Sequence, residues 1–162
     1  MEALKRLGIP LHRVPAQEAA LFSTACLYVL MERMISDYLR PHQLTPAKFN
    51  AMMIIKHIGK DQGMSQIEIG KRLIVSASNM TRLLDKLQKD GCIERIGRLN
   101  DRRVNLVRIT EKGSGLLDAV WPGYYETVSS IANVMNKEEL TQLVSMVGKW
   151  CDKLERETAS HV

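Results

Sequence analysis

The sequence predicts a mainly α fold carrying one small β-hairpin, and three observations predict it. Apolar residues recur at helical spacing over most of the 162 residues, Ser, Thr and Asn stand at helix starts, and strand-like segments are confined to one stretch after Gly91. A content of 45% hydrophobic and 25% charged residues matches folded globular domains and excludes disordered and collagen-like classes.

Pro15 followed by Ala16 to Arg40 reads as a long helix, ended by Pro41, which disfavours helical geometry at the residue before it. Its apolar residues, among them Leu21, Phe22, Tyr28, Val29 and Met34, cover more than one face, so the helix is expected to be buried on two sides. Thr45 as N-cap with Pro46 at the first helical position opens a second helix to about Gly59, with Phe49, Met52, Met53 and Ile55 inward. Ser65 and Glu68 form a capping box for a short helix to about Leu73. Ser76 caps the next helix, which continues to Asp90 and stops at a left-handed Gly91. Two helices joined by so tight a turn suggest helix-turn-helix.

Cys92 to Ile96 and Val104 to Ile109 are β-rich, and Gly97 to Arg103 suits a hairpin tip, so a two- or three-stranded wing follows the helix pair. Thr110 caps a further helix, for which Gly113, Gly115 and Pro122-Gly123 predict interruptions and a kink near Trp121. Asn136 with Glu139 starts the last helix, where Leu143, Val147, Trp150 and Leu154 form a narrow apolar seam.

The apolar run in the first helix is broken by Glu32, Arg33 and Asp37 before the roughly 20 residues a bilayer span needs, so no membrane span is expected. The N-terminal residues lack the apolar core of a secretory signal, so a cytoplasmic location is expected. Cysteines at 26, 92 and 151 form no disulfide framework, and neither they nor His12, His42, His57 and His161 show metal-ligand spacing. No cofactor is expected. A Gly-rich phosphate loop, GxSxG and HExxH are all absent, which argues against an enzyme.

The net charge of +5 is unevenly placed: Lys56 to Lys112 holds 13 basic and 7 acidic residues, and the remainder is close to neutral. Such a concentration points to a polyanion. On the Ser76 to Asp90 helix, Met80, Leu83, Leu84 and Leu87 cluster on one side, and Ser78, Thr81, Arg82, Asp85 and Lys89 on the other. Ser76, Ser78, Asn79 and Thr81 are short enough to let a backbone approach bases, and Arg82 is a long donor suited to guanine, the set a major-groove helix uses. Arg95, Arg98, Arg102, Arg103 and Arg108 surround the hairpin, and arginine on a thin loop fits the negative minor groove. Asp101 is placed to orient Arg103 through a salt bridge.

Five motifs carry a family resemblance. Leu44-Thr45-Pro46, Ser65-Gln66-Ile67-Glu68-Ile69-Gly70 and Ser78-Asn79-Met80-Thr81-Arg82-Leu83-Leu84-Asp85-Lys86-Leu87 open successive helices, Gly91-Cys92-Ile93-Glu94-Arg95 leads into the wing, and Asp101-Arg102-Arg103 precedes Ile109-Thr110-Glu111-Lys112-Gly113 by five residues. In this order, over about residues 20 to 155, the chain resembles the MarR family of winged helix-turn-helix regulators. The resemblance implies a homodimeric repressor of transcription on a pseudo-palindromic operator in double-stranded DNA. The Ser76 to Asp90 helix would read the major groove, and Arg102 and Arg103 of the wing, with Asp101 orienting, the minor groove. It divides the chain into an N-terminal dimerisation segment (1–43), a DNA-binding lobe (44–113) and C-terminal dimerisation helices (114–162). Leu21, Tyr28, Leu143, Val147, Trp150 and Leu154 are then dimerisation residues. A small aromatic or phenolic effector is also implied, without identified ligand residues, although Tyr28, Met34, Tyr38, His42 and Met52 could line its cleft. Alternatives are a thiol-based redox sensor acting through Cys26, which stands in an apolar run with no adjacent cation, and an architectural nucleic-acid-binding winged helix without effector.

Overall fold

The computed structural model describes residue 8 and residues 14–73, 77–98 and 101–159, without the side chains of 77–78, 98, 101–105 and 159. Helix α1 spans Ala16–Leu39 and leads through a 3-10 turn, Arg40–His42, to α2 at Pro46–Ile54. Thr45 caps α2 as expected, its hydroxyl accepting the Lys48 amide at 3.2 Å. The α2 path continues as a π turn, Ile55–Gly59, and a 3-10 turn, Lys60–Gln62, before the two-residue strand β1, Met64–Ser65.

Helices α3 (Gln66–Leu73) and α4 (Ala77–Lys89) form the helix-turn-helix, and β2 (Ile93–Arg98) and β3 (Asp101–Ile109) form the wing. β3 is central in an antiparallel sheet ordered β1-β3-β2, with Met64 opposite Val107 on one side and Arg95 opposite Val107 on the other. The expected wide tip at Gly97 to Arg103 is narrower in the structure: pairing continues to Arg98 opposite Asp101, after a register shift at Gly97/Arg98.

Helix α5 runs through Glu111–Ala132 with Pro122 inside it, so the expected interruptions do not occur. A proline removes one backbone bond and crowds the preceding turn, yet packing can hold the helix together. Here the Tyr38 hydroxyl donates to the Val120 carbonyl at 2.7 Å and packs over Gly123, where a Cβ would come within 2.6 Å of the Tyr38 oxygen. Helix α6, Lys137–Ala159, starts in a reciprocal capping box: the Asn136 amide donates to Glu139 Oε2 at 2.8 Å, and the Glu139 amide to Asn136 Oδ1 at 2.9 Å.

Residues 1–125 and 126–162 form two compact units. The core of the first is assembled by α2 to α5 and the sheet around Phe49, Met52, Ile55, Ile69, Leu84 and Val120. Phe49 meets Tyr124 at 4.4 Å between ring centroids and stacks on Trp121 at 6.5 Å.

Helix α1 departs from expectation. Of its 24 residues only Leu39 is buried in the chain, and Leu21, Phe22, Tyr28, Val29 and Met34 are exposed. Ala16–His42 is also long and apolar enough, at mean hydropathy 1.3, to cross a membrane by length and composition. The expectation that its charges rule out such a window is thereby corrected, because the surrounding Leu, Val and Met residues outweigh two charges in the average. Glu32 and Arg33 would nonetheless lie within such a span, where each charge costs about 2.5–3.5 kcal/mol.

Candidate nucleic-acid interface

The helix-turn-helix is held by local bonds that follow from the sequence. The Ser65 amide donates to Glu68 Oε2 at 2.9 Å and the Glu68 amide to Ser65 Oγ at 3.2 Å, which closes the expected capping box. The Ser65 hydroxyl also donates to Glu68 Oε2 at 2.7 Å, and these bonds from Ser65 hold the carboxyl below its ordinary pKa.

Helix α4 is divided as its sequence predicts. Met80, Leu84 and Leu87 are buried, Leu83 is half-buried, and Asn79, Thr81, Arg82, Asp85 and Lys89 are exposed. Ser76 lies outside the described residues, as does the side chain of Ser78, whose backbone is in α4. Gln66, which sequence reasoning did not single out, donates from Nε2 to Thr81 Oγ1 at 2.6 Å and ties the start of α3 to the exposed face of α4.

The end of α4 is a Schellman turn: the Cys92 amide reaches the Leu87 carbonyl at 2.9 Å and the Gly91 amide the Gln88 carbonyl at 2.9 Å, with Gly91 at φ +73°. Lys48 pairs with the Asp90 carboxylate at 2.6 Å, and Lys112 donates to the Asp90 carbonyl at 2.6 Å. Beyond the turn, Thr110 Oγ1 donates to the Gly91 carbonyl at 2.8 Å and accepts the Gly113 amide at 3.0 Å. One threonine thus caps α5 and fastens it to the root of the wing.

Two of the five wing arginines do not project. Arg95 pairs with Asp85 at 2.5 Å and donates to Gln88 Oε1 at 2.6 Å, both on α4. Arg108 holds Glu94 through Nε at 2.9 Å and Nη2 at 2.7 Å across the sheet. Partners so distant in sequence leave no local signal, which is why all five read alike there. The backbones of Asp101, Arg102 and Arg103 are in β3, but their side chains, and with them the expected Asp101–Arg103 salt bridge, lie outside the described residues.

The sequence model of the MarR family matches residues 44–104, from before α2 into β3. The HTH-type transcriptional regulator MhqR of Bacillus subtilis is 30% identical over 117 residues, covering 70% of this chain and 79% of MhqR. The chain belongs to the MarR family. It is therefore a DNA-binding transcription regulator and not an enzyme. Two solved structures share the MarR fold: a mutant E. coli MarR complexed with operator DNA (TM-score 0.73, 23% identity, covering 83% of this chain and 93% of that one), and the organohalide-sensing regulator RdhR-CbdbA1625 in its 2,4-dichlorophenol-bound form (TM-score 0.80, 14% identity, covering 90% and 85%).

Of the residues suggested for an effector cleft, Met52 belongs to the core of this MarR chain and Tyr38 is anchored to α5, its ring 5.5 Å from that of His42. Tyr28 and Met34 are exposed on α1. A pocket of 380 Å³ opens between α2 and α5, walled by Met53, Leu117 and Trp121 and rimmed by Lys56, His57 and Asp118. Lys56 and Asp118 pair at 2.6 Å on that rim. Among the described residues no group of three or more His, Cys, Asp or Glu is placed to hold a metal. Cys26 is half-buried, Cys92 buried and Cys151 exposed. Burial raises the Cys92 pKa, against the opposing pull of the Lys112 ammonium.

Proposed function

We propose that the protein is a cytoplasmic homodimeric repressor that occupies a pseudo-palindromic operator and is released by a small aromatic or phenolic ligand. The observation that carries the DNA-reading part is the exposed face of α4, where Asn79, Thr81 and Arg82 stand opposite a buried Met80, Leu84 and Leu87. An apolar face held in the core and short polar groups with one long donor on the other suit insertion in a major groove. Ser76 and Ser78 extend this set toward the helix start, and Arg102 and Arg103, with Asp101 orienting, supply the minor-groove contacts.

The dimer reading rests on α1. A 24-residue helix with a single buried residue and an exposed apolar surface is expected to be covered, and a second copy does so without placing Glu32 and Arg33 in hydrocarbon. In α6, Val147, Trp150 and Leu154 are exposed and Leu143 half-buried along the same expected seam. We assign residues 1–43 and 114–162 to dimerisation and 44–113 to DNA binding. The pocket between α2 and α5 has apolar walls and a charged rim, which suits an aromatic ring bearing one polar group. RdhR-CbdbA1625, bound to 2,4-dichlorophenol on a similar fold, supports that ligand class.

Selection of bound duplexes from a random pool, followed by a salt series on the selected sequence, tests this reading. A consensus with two-fold symmetry and half-sites about one helical turn apart is expected. Affinity indifferent to sequence and falling steeply with salt would instead identify an architectural protein.

A further inference from the structure

Arg95 leaves β2 at the root of the wing and spans the gap to α4 with both ends of its guanidinium. Nη2 meets Asp85 Oδ1 at 2.5 Å and Nη1 donates to Gln88 Oε1 at 2.6 Å, two residues one helical turn apart on α4. The Arg95 side chain is 29% exposed and that of Asp85 55%, so the fork lies along the surface between helix and hairpin. A planar guanidinium with two directed bonds fixes orientation as well as distance, which a single ammonium contact does not.

The chain joins α4 to β2 through the turn at Gly91, a single covalent pivot. The wing root is also held by β1–β3 pairing and by Ile93 and Val107 in the core with Leu84 and Leu87, and the Arg95 fork adds to these a directed polar link from β2 to the exposed side of α4. Asp85 adds a charge argument. It stands three residues from Arg82 on the exposed face of α4, where an unpaired carboxylate would repel phosphate. Paired with Arg95, it becomes an anchor on that face. We infer that Arg95 is a positioning residue for DNA binding: it locks the wing to the recognition helix at one separation, so that both reach their grooves together. The inference rests on the proposed reading of α4 and the wing as the DNA-contacting elements.

The test is fluorescence anisotropy of the full-length protein on its selected operator across a salt series. It uses Arg95→Met, Arg95→Lys, Asp85→Asn, Arg103→Ala and the Arg95→Met/Arg103→Ala pair, with unfolding curves confirming that each variant is folded. Arg95→Met is expected to weaken operator binding about tenfold or more, and Asp85→Asn, which breaks the ion pair but keeps the Arg95 charge, to weaken it in the same direction; the slope of log affinity against log salt falls only by the wing contacts no longer made. Arg95→Lys, which keeps one bond of the fork, should fall between, and it carries the test if the methionine variant does not fold. Arg103→Ala should cost less in the Arg95→Met background than in the wild type, since a wing that is no longer aimed has less to lose. Wild-type affinity in Asp85→Asn together with a loss in Arg95→Met would make the Arg95 charge a direct phosphate contact and overturn the inference. Additive losses, or wild-type affinity in Arg95→Met, would overturn it as well. Specific binding by the wild type separates these failures from failure of the DNA-reading assignment, and a wild type indifferent to duplex sequence sinks both.

Discussion

A Cβ atom on Gly113 would stand 2.1 Å from the carbonyl oxygen of Cys92, closer than any side chain can approach. The first turn of α5 therefore lies directly on the backbone that enters the wing, and the contact is possible only without a side chain. Thr110 depends on the same approach, because it accepts the Gly113 amide while donating to the Gly91 carbonyl. Replacing Gly113 by Ala must push α5 away from the wing root. Overpacking of this kind costs about 1–3 kcal/mol. We expect Gly113→Ala to lower the urea midpoint accordingly and to weaken operator binding by displacing the wing; Gly115→Ala, where nothing stands within 4 Å of the added carbon, should do neither.

The exposed face of α4 and the wing are expected to fail in different ways when altered. Arg82→Ala should relax base preference at one position of the selected consensus, since a bidentate arginine contributes about 1–3 kcal/mol of discrimination. Arg103→Ala should weaken binding by a similar amount, about 1–3 kcal/mol, through loss of minor-groove contacts. Gel-shift titrations measure the second and repeated selection the first. An unchanged consensus for Arg82→Ala would remove that residue from base reading, and unchanged affinity for Arg103→Ala would remove the wing assignment.

Leu21 is 61% exposed and Leu154 59% exposed in the single chain, with Tyr28 and Trp150 exposed on the same two helices. In the proposed dimer these residues would be covered, and a charge placed there would be trapped without a partner. Leu21→Arg and Leu154→Arg should each shift the protein toward monomer in sedimentation velocity at micromolar concentration. A wild type that sediments as a stable monomer under the same conditions would contradict the assignment directly.

What was legible in the sequence is what short-range chemistry determines. Thr45, the Ser65–Glu68 pair and the Asn136–Glu139 pair each make their bonds within three residues, and the structure forms all three caps. The buried and exposed sides of α4 were equally readable, because a helix period sorts them without reference to the rest of the chain. Pro122 reads as a break because the sequence shows a missing backbone donor but none of the contacts made from far away in sequence, such as that of Tyr38 on the Val120 carbonyl; the helix nonetheless continues through it. Arg95 and Arg108 looked like free wing cations for the same reason, their partners lying on α4 and across the sheet. β1 has no signal in the sequence, since Met64 and the capping residue Ser65 are too few to carry an alternating pattern and pair only because β3 passes beside them.

Cys92 is buried beside the wing root, and burial holds its thiol pKa above the ordinary range. A folded-state pKa that is raised contributes stability below the unfolded value, and that contribution is lost as pH rises through the folded one. Near neutral pH the thiol is therefore protonated and inert, since the thiolate is the nucleophile. Iodoacetamide should modify Cys92 only on unfolding, whereas Cys151, exposed in the single chain, should react in the folded protein unless the dimer covers it. Peptide mass mapping after timed alkylation reads both sites. Rapid modification of Cys92 in the native protein would contradict its placement in the core.

Lys60 occupies backbone angles of φ 46° and ψ −143°, a region that glycine tolerates and other residues reach only under strain. The strain has an identifiable origin. The π turn over Ile55–Gly59 inserts extra backbone at the end of α2, and the chain must reverse within a few residues to bring Met64 opposite Val107. The Lys60 side chain is exposed, so its Cβ contributes the conflict while its ammonium contributes little packing. Lys60→Gly removes the conflict at the cost of greater freedom in the unfolded chain, an offset of about 0.4–1 kcal/mol against roughly 1–3 kcal/mol of relief. A net gain of about 1 kcal/mol is expected in urea unfolding. Lys60→Ala retains the Cβ and should leave stability nearly unchanged, which separates backbone strain from loss of the charge. Equal effects from the two substitutions would place the cause in the lysine side chain instead.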